Sequence, residues 1–204
     1  MVNVHQSIKR KNRNREAIID SAEIVFFEKG YSNSNMEEIA KHANYTKRTL
    51  YSYFNSKEEL YIAVAERGYN ILSSLFNETL QNCKGDDYLT IIKKLGYTYI
   101  RFYKEYTGYY KAAFEFKNTA LLPQEIEQDS LKTLTKIIQK GIDNKEIIDE
   151  DPINISLMLW SYVVGLINTI VKMDKYVKDY LMKDPTELLE KNFDIILNSI
   201  KRSE

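Results

Sequence analysis

Apolar residues recur at intervals of three and four along most of the chain, and nowhere do they alternate long enough for a convincing strand. Over residues 12–29, Ala17, Ile18, Ala22, Val25 and Phe26 keep helical spacing, and Gly30 follows as a good left-handed C-cap. A short second helix comes next. Ser34 with Glu37, or Asn35 with Glu38 one residue later, forms its capping box, and Met36, Ile39, Ala40 and Ala43 make its inner face. Asn44 suits the tight turn beyond it. Thr46 caps a third helix, "TKRTLYSYF", in which Leu50 and Phe54 face inward. Asn55-Ser56 breaks that helix, and Ser56 with Glu59 caps a fourth over residues 57–80. Three short helices, with a turn of about three residues between the second and third, are the layout of a helix-turn-helix unit.

The remainder is helical too. Leu89, Ile92, Leu95, Tyr99, Phe102 and Tyr103 pattern residues 87–105, and "TGYYKAAFEF" follows a short break at Thr107-Gly108. Pro123 opens a helix that runs to Gln139 or Lys140. Pro152 opens an uncharged helix, and Pro185 opens the last, with Leu188, Leu189, Phe193, Ile196, Leu197 and Ile200 as its stripe. The expected fold class is all-α. Only 7 Gly and 3 Pro in 204 residues support long helices over a many-turned sandwich or barrel.

Net charge adds nothing, since 29 cations balance 29 acids. Its distribution adds more. Lys9, Arg10, Lys11, Arg13 and Arg15 occupy residues 1–15 without an acid, which reads either as an arm for nucleic-acid phosphates or as a solvated terminus. The single cysteine, Cys83, allows no intrachain disulfide and fits a reducing cytoplasm. The first 20 residues lack the apolar stretch of a signal peptide. Residues 152–171 are uncharged and long enough to span a membrane. Asn154, Ser156, Ser161, Asn168 and Thr169 interrupt them, and acids and bases flank both ends without cationic asymmetry, so the expectation is a buried or interfacial helix, no membrane and a cytoplasmic location.

The third helix carries the sharpest chemistry. A recognition helix enters the major groove by its N-terminal end and needs donors there for phosphates and base edges. Thr46, Lys47, Arg48 and Thr49 supply them, and Tyr51 reaches a phosphate, base edge or methyl group one turn on. Tyr53 and Lys57, at the far end, suit backbone contacts. Enzymatic chemistry finds no comparable support. Two histidines and one cysteine make no His/Cys metal cluster, and no Gly-rich phosphate loop, G-x-S-x-G or H-E-x-x-H is present. No enzyme activity, metal or cofactor is expected.

Gly30-Tyr31, Ser34-Asn35-Met36, Ile39-Ala40, Ala43 and "TKRTLYSYFNSKEEL" together closely resemble the N-terminal signature of the TetR family of bacterial transcriptional regulators, over about residues 14–62. That family usually has Gly where this chain has Asn44. The resemblance implies a helix-turn-helix DNA-binding domain over residues 1–56, with the basic arm, and a helical ligand-binding and dimerisation domain over 57–204, joined through helix 57–80. It implies a repressor that binds a palindromic operator in double-stranded DNA as a homodimer and is released by a small-molecule effector. Carried over position by position, the DNA contacts are Ser34 or Asn35, then Thr46, Lys47, Arg48, Thr49, Tyr51, Tyr53 and Lys57. Residues 97–116 are dense in aromatics, which line mostly apolar cavities well. Phe102, Tyr103, Tyr106, Tyr110 and Phe114, with Trp160 and Tyr162 from the uncharged helix, are the expected ligand-binding residues. The helices near 152–173 and 185–202 are the expected dimer faces, with Gly165 allowing close approach of a partner backbone.

Overall fold

The computed structural model describes residues 2–116 and 124–203. Its regular elements are helices: α1 (Val2–Asn33), α2 (Met36–His42), α3 (Lys47–Tyr51), α4 (Lys57–Gln81), α5 (Tyr88–Glu105), α6 (Thr107–Phe114), α7 (Gln124–Asp143), α8 (Pro152–Leu166), α9 (Asp174–Asp179) and α10 (Pro185–Ile200). A π turn over Ile167–Val171 continues α8. Most patterns read from the sequence recur with small shifts at the ends, but α1, expected over residues 12–29, begins at Val2 and takes in the basic stretch. The π turn and α9 were not anticipated, because neither repeats an apolar spacing long enough to be recognised. Pro123, read as the start of α7, lies outside the described residues.

The chain forms two compact units, Met1–Asn70 with Tyr106–Pro123, and Ile71–Glu105 with Gln124–Glu204. The boundary expected after residue 56 falls inside the first unit. α4 is continuous, giving residues 57–70 to the first unit and 71–81 to the second. α6 belongs to the first unit rather than to the aromatic helix that precedes it. Its place there has a steric cause. A Cβ on Gly108 would lie 2.5 Å from the Phe27 ring, so only glycine lets α6 approach α1 this closely. Tyr109 packs edge-on against Phe27, with ring centres 5.0 Å apart, and the Tyr69 hydroxyl donates to the Ala113 carbonyl at 2.7 Å.

Ile18, Ile19, Ala22, Val25 and Phe26 of α1 bury with Ile39 and Ala40 of α2, Leu50 and Phe54, and Leu60 and Val64 of α4. Arg67 ties α4 to α1, donating to Asp20 at 2.6 Å, Glu23 at 2.7 Å and Glu16 at 2.6 Å. The helical path of α1 breaks at Gly30, where φ 77° and ψ 162° fall in a region essentially restricted to glycine.

In the second unit, Ile92, Leu95, Tyr99 and Phe102 of α5 bury with Ile138 of α7, Ile155, Leu159 and Val163 of α8, and Leu189, Phe193 and Leu197 of α10. The uncharged stretch Pro152–Val171 is long and apolar enough to cross a membrane. Here it packs against α7, α5 and α10, and its buried Ser156 hydroxyl meets Thr135 at 2.9 Å. An antiparallel bridge joins Ile147 to Lys201.

Candidate nucleic-acid interface

The α2–turn–α3 segment is built by local hydrogen bonds that its sequence encodes. Asn35, not Ser34, caps α2, its side chain accepting from the Glu38 amide at 2.9 Å. Ser34 is buried, and its hydroxyl donates back to the Tyr31 carbonyl at 2.8 Å. Asn44 takes φ 56°, and Tyr45 donates to Ala40 at 2.9 Å to close the turn. Thr46 caps α3 by accepting from the Thr49 amide at 3.1 Å, and the two threonine hydroxyls meet at 2.8 Å. Leu50 and Phe54 are 0% and 1% exposed, so the helix is pinned by two side chains. Because α-helical neighbours turn by about 100°, that anchoring turns Thr46, Lys47, Arg48 and Tyr51 outward, and all four are exposed.

Each outward residue has a defined setting. Arg48 makes no ion pair among the described residues. Lys47 lies 3.8 Å from Glu37, an exposed pair of little energetic weight. The Tyr53 hydroxyl accepts from the Asn14 amide of α1 at 3.1 Å, which fixes the ring and leaves its own hydrogen to donate. The Lys57 ammonium donates to the carbonyls of Tyr31 at 2.7 Å and Ser34 at 2.9 Å, and sits 4.3 Å from the Tyr31 ring centre. Burial, with Glu58 nearby, pushes the Tyr31 phenol up, so the ring stays neutral beneath that cation. Ser34, Asn35, Met36, Glu37, Lys47, Tyr51 and Lys57 line one surface groove of about 320 Å³.

The residues expected to hold a ligand fall into two places. Tyr106, Tyr110 and Phe114 belong to the first unit, where Tyr110 is buried and Phe114 packs on Tyr69 at 5.0 Å. Phe102, Tyr103, Trp160 and Tyr162 belong to the second. That unit holds an apolar cavity of about 40 Å³, lined by Trp160 and Tyr162 together with Phe76, Ile92, Leu95, Gly96, Tyr99, Leu134, Leu159, Val163, Phe193, Ile196 and Leu197. Phe102 is fully buried but does not line it, and Tyr103 stacks under the Lys172 ammonium at 5.7 Å. The Trp160 ring meets Tyr99 edge-on, with centres 4.8 Å apart. The Tyr162 hydroxyl donates to the Asn192 side chain at 2.8 Å, and burial pushes its pKa up. Glu37, Asn14 and Tyr31 beside the proposed readers, and most aliphatic cavity residues, were not read as site residues from the sequence. The stripe on α10 did signal Phe193, Ile196 and Leu197, but as an interface.

Comparison with known proteins agrees with this geometry. Residues 18–64, from the middle of α1 into α4, match the family described as bacterial regulatory proteins, tetR family. That segment, about a quarter of the chain, is similar to the DNA-binding part of tetR-family regulators. Among curated relatives, the chain is 38% identical over 74 residues to the HTH-type transcriptional activator FasR of Mycolicibacterium smegmatis, covering 36% of this chain and 33% of FasR. It is 38% identical over 56 residues to IcaR of Staphylococcus epidermidis, a negative transcriptional regulator of the biofilm operon icaADBC, covering 28% of this chain and 30% of IcaR. The matched segment thus spans about a third of these relatives. The transcriptional regulator FadR of Bacillus subtilis, solved with stearoyl-CoA, superposes with a TM-score of 0.69 at 20% identity over 91% of this chain and 98% of FadR. The helical fold of FadR therefore extends over nearly all of the chain, whereas each of these two curated matches covers about a third of it.

Proposed function

We propose that this tetR-like protein is a sequence-specific DNA-binding transcriptional regulator that works in the cytoplasm as a homodimer on a palindromic operator, as a repressor released by a small, largely apolar or aromatic ligand. The observation that carries DNA binding is α3. Two buried anchors turn its polar N-terminal end outward, beside a groove containing Asn35, Lys47, Tyr51 and Lys57. Lys47, Arg48, Thr49 and Tyr51 are the proposed readers. Thr46, Tyr53 and Lys57 hold phosphates, Lys57 with the hydrogen left after its two carbonyl bonds. At the start of α2 the phosphate contact falls to Asn35, because the Ser34 hydroxyl is turned inward.

The dimer reading rests on faces that the second unit leaves bare. Ile153, Leu157 and Met158 of α8 and Ile195 of α10 are 54%, 48%, 40% and 67% exposed. Ser161 and Gly165 continue the α8 face, and a Cβ on Gly165 would meet nothing within 4 Å. An uncharged, partly apolar helix face of this kind suits a partner helix better than lipid, since Asn154, Asn168 and Thr169 lie exposed on it.

The ligand reading rests on the cavity, whose walls bear no charge. FadR was solved with stearoyl-CoA and IcaR is a negative regulator, which supports an apolar ligand and repression here. About 40 Å³ has room for little more than water, so a ligand must push the lining apart. Selection of bound sequences from random duplex DNA tests the first claim and should return an inverted repeat with half-sites about one helical turn apart. A compound library screened for release of that DNA tests the second. An asymmetric half-site bound equally well by a monomer would refute the dimer reading.

A further inference from the structure

The first turns of α1 carry charge that no other part of the described fold uses. Residues 5–13 are exposed on all sides, and Lys9, Arg10, Lys11 and Arg13 lie among them with no carboxylate before Glu16. Within residues 5–15, side-chain contact with another element begins at Asn14, hydrogen-bonded to Tyr53, and at Arg15, whose guanidinium lies 5.0 Å from the Phe54 ring centre. Those two partners directly follow α3. The point where α1 leaves the body is therefore beside the end of the recognition helix.

A free helix of this length is marginal in water, because nucleation is costly and few hydrogen bonds follow it. Nor does it offer an apolar face to a protein groove, since Ile8 stands alone among polar neighbours. Uniform positive charge beside α3 suits one kind of partner, a polyanion that α3 already faces. We propose that the N-terminal extension of α1 is a second DNA-binding element, which lies along the phosphate backbone flanking the base pairs read by α3. This rests on the proposed DNA binding by α3.

The reach and the energetics follow from helix geometry. Residues 5–13 rise by ~13 Å, about four base pairs of duplex. Successive cations at positions 9, 10 and 11 point about 100° apart, so any one side presents about two of them to phosphates. Phosphate contacts carry no sequence information. The extension thus adds affinity and footprint and leaves base preference alone.

The test compares the full chain with a full-length variant carrying Lys9→Gln, Arg10→Gln, Lys11→Gln and Arg13→Gln. Glutamine forms helix as well as lysine, and equal melting temperatures verify the fold. Both proteins are titrated over a range of salt on the selected site with flanks, on the site trimmed to its half-sites, and on random-sequence duplex. The variant should show a salt slope lower by about 2 per subunit, a footprint shorter by about four base pairs on each side, and unchanged base preference. Trimming the flanks should weaken the wild type and leave the variant nearly unaffected. Equal slopes for the two proteins on every duplex would overturn the proposal. So would charge-dependent binding to anionic phospholipid vesicles alongside equal DNA slopes, which would assign the extension to a membrane surface. A charge-dependent slope on random duplex without any selected site would sink the reading of α3 and leave the extension standing.

Discussion

Lys47 and Arg48 are neighbours with the same charge, yet the structure gives them different settings. Arg48 stands clear of carboxylates among the described residues, with its planar fork exposed. Such a fork can bond a guanine edge in two places. Arg48→Ala should therefore cost about 1–3 kcal/mol on the selected site and relax preference at one base position, which binding to single-base variants of the site will show. Lys47 shares its groove with Glu37. That carboxylate would repel an incoming phosphate and divert the ammonium, so Glu37→Gln should tighten DNA binding, by a few tenths to about 1 kcal/mol. Unchanged or weaker binding would mean that no phosphate enters the groove. Lys57, proposed as a phosphate contact, also makes structural bonds that its sequence position does not disclose. Its carbonyl acceptors, on Tyr31 and Ser34, lie 26 and 23 residues earlier in the chain. Lys57→Ala should thus lower the melting temperature as well as weaken binding to all sequences alike. By contrast the caps at Thr46 and Asn35 and the turn at Asn44 were legible, because each bonds within five residues of itself.

At the scale of elements, the same division holds. α2 and the start of α3 were readable to within a residue or two, since cap, turn and anchor all fall inside one local pattern, although α3 ends at Tyr51 and leaves the Phe54 anchor just beyond it. α6 was readable as a helix but not by its allegiance. The aromatics of residues 97–116 look continuous in sequence, yet Gly108 and Phe27, far apart in the chain, decide that α6 packs with α1. α5 shows how a cap sets pH behaviour. Asp87 accepts from the Thr90 amide at 2.8 Å and the Thr90 hydroxyl at 2.9 Å, and these bonds, the amide first, hold its pKa below the ordinary carboxylate value. A lowered folded pKa means that the contribution is complete above the ordinary value and is lost as pH falls through the lowered one. Asp87→Ala should cost about 1 kcal/mol at neutral pH, as loss of an N-cap does, and the difference from wild type should shrink in acid. Asp87→Asn retains an acceptor and should restore most of the stability with less acid sensitivity. Denaturant melts of the three proteins at neutral and acid pH decide this.

For the whole molecule, the proposed function requires a small molecule held in one unit to change the affinity of the other for DNA. α4 is the covalent route, since one uninterrupted helix supplies residues 57–70 to the first unit and Phe76 to the wall of the cavity in the second. A ligand that expands this cavity has to displace side chains around it, Phe76 among them. It lowers DNA affinity only if the form of the dimer it prefers is one that DNA disfavours, and linkage then requires DNA to lower ligand affinity by the same factor. Typical coupling is about 1–3 kcal/mol, a factor of roughly 5–150. Two tests separate the cavity from the coupling. Val163→Trp places a large ring where the cavity is, and should abolish response to the releasing compound while leaving affinity for the selected DNA without ligand nearly intact. A variant that still responds normally would move the ligand site elsewhere. In the wild type, the compound should bind more weakly to the protein–operator complex than to the free protein, by the same factor by which it weakens DNA binding. If calorimetry finds equal ligand affinity with and without operator, the compound binds without signalling, and release must come from some other occupant. If the two factors agree while Val163→Trp silences both, the cavity is the sensor and the two units report one equilibrium.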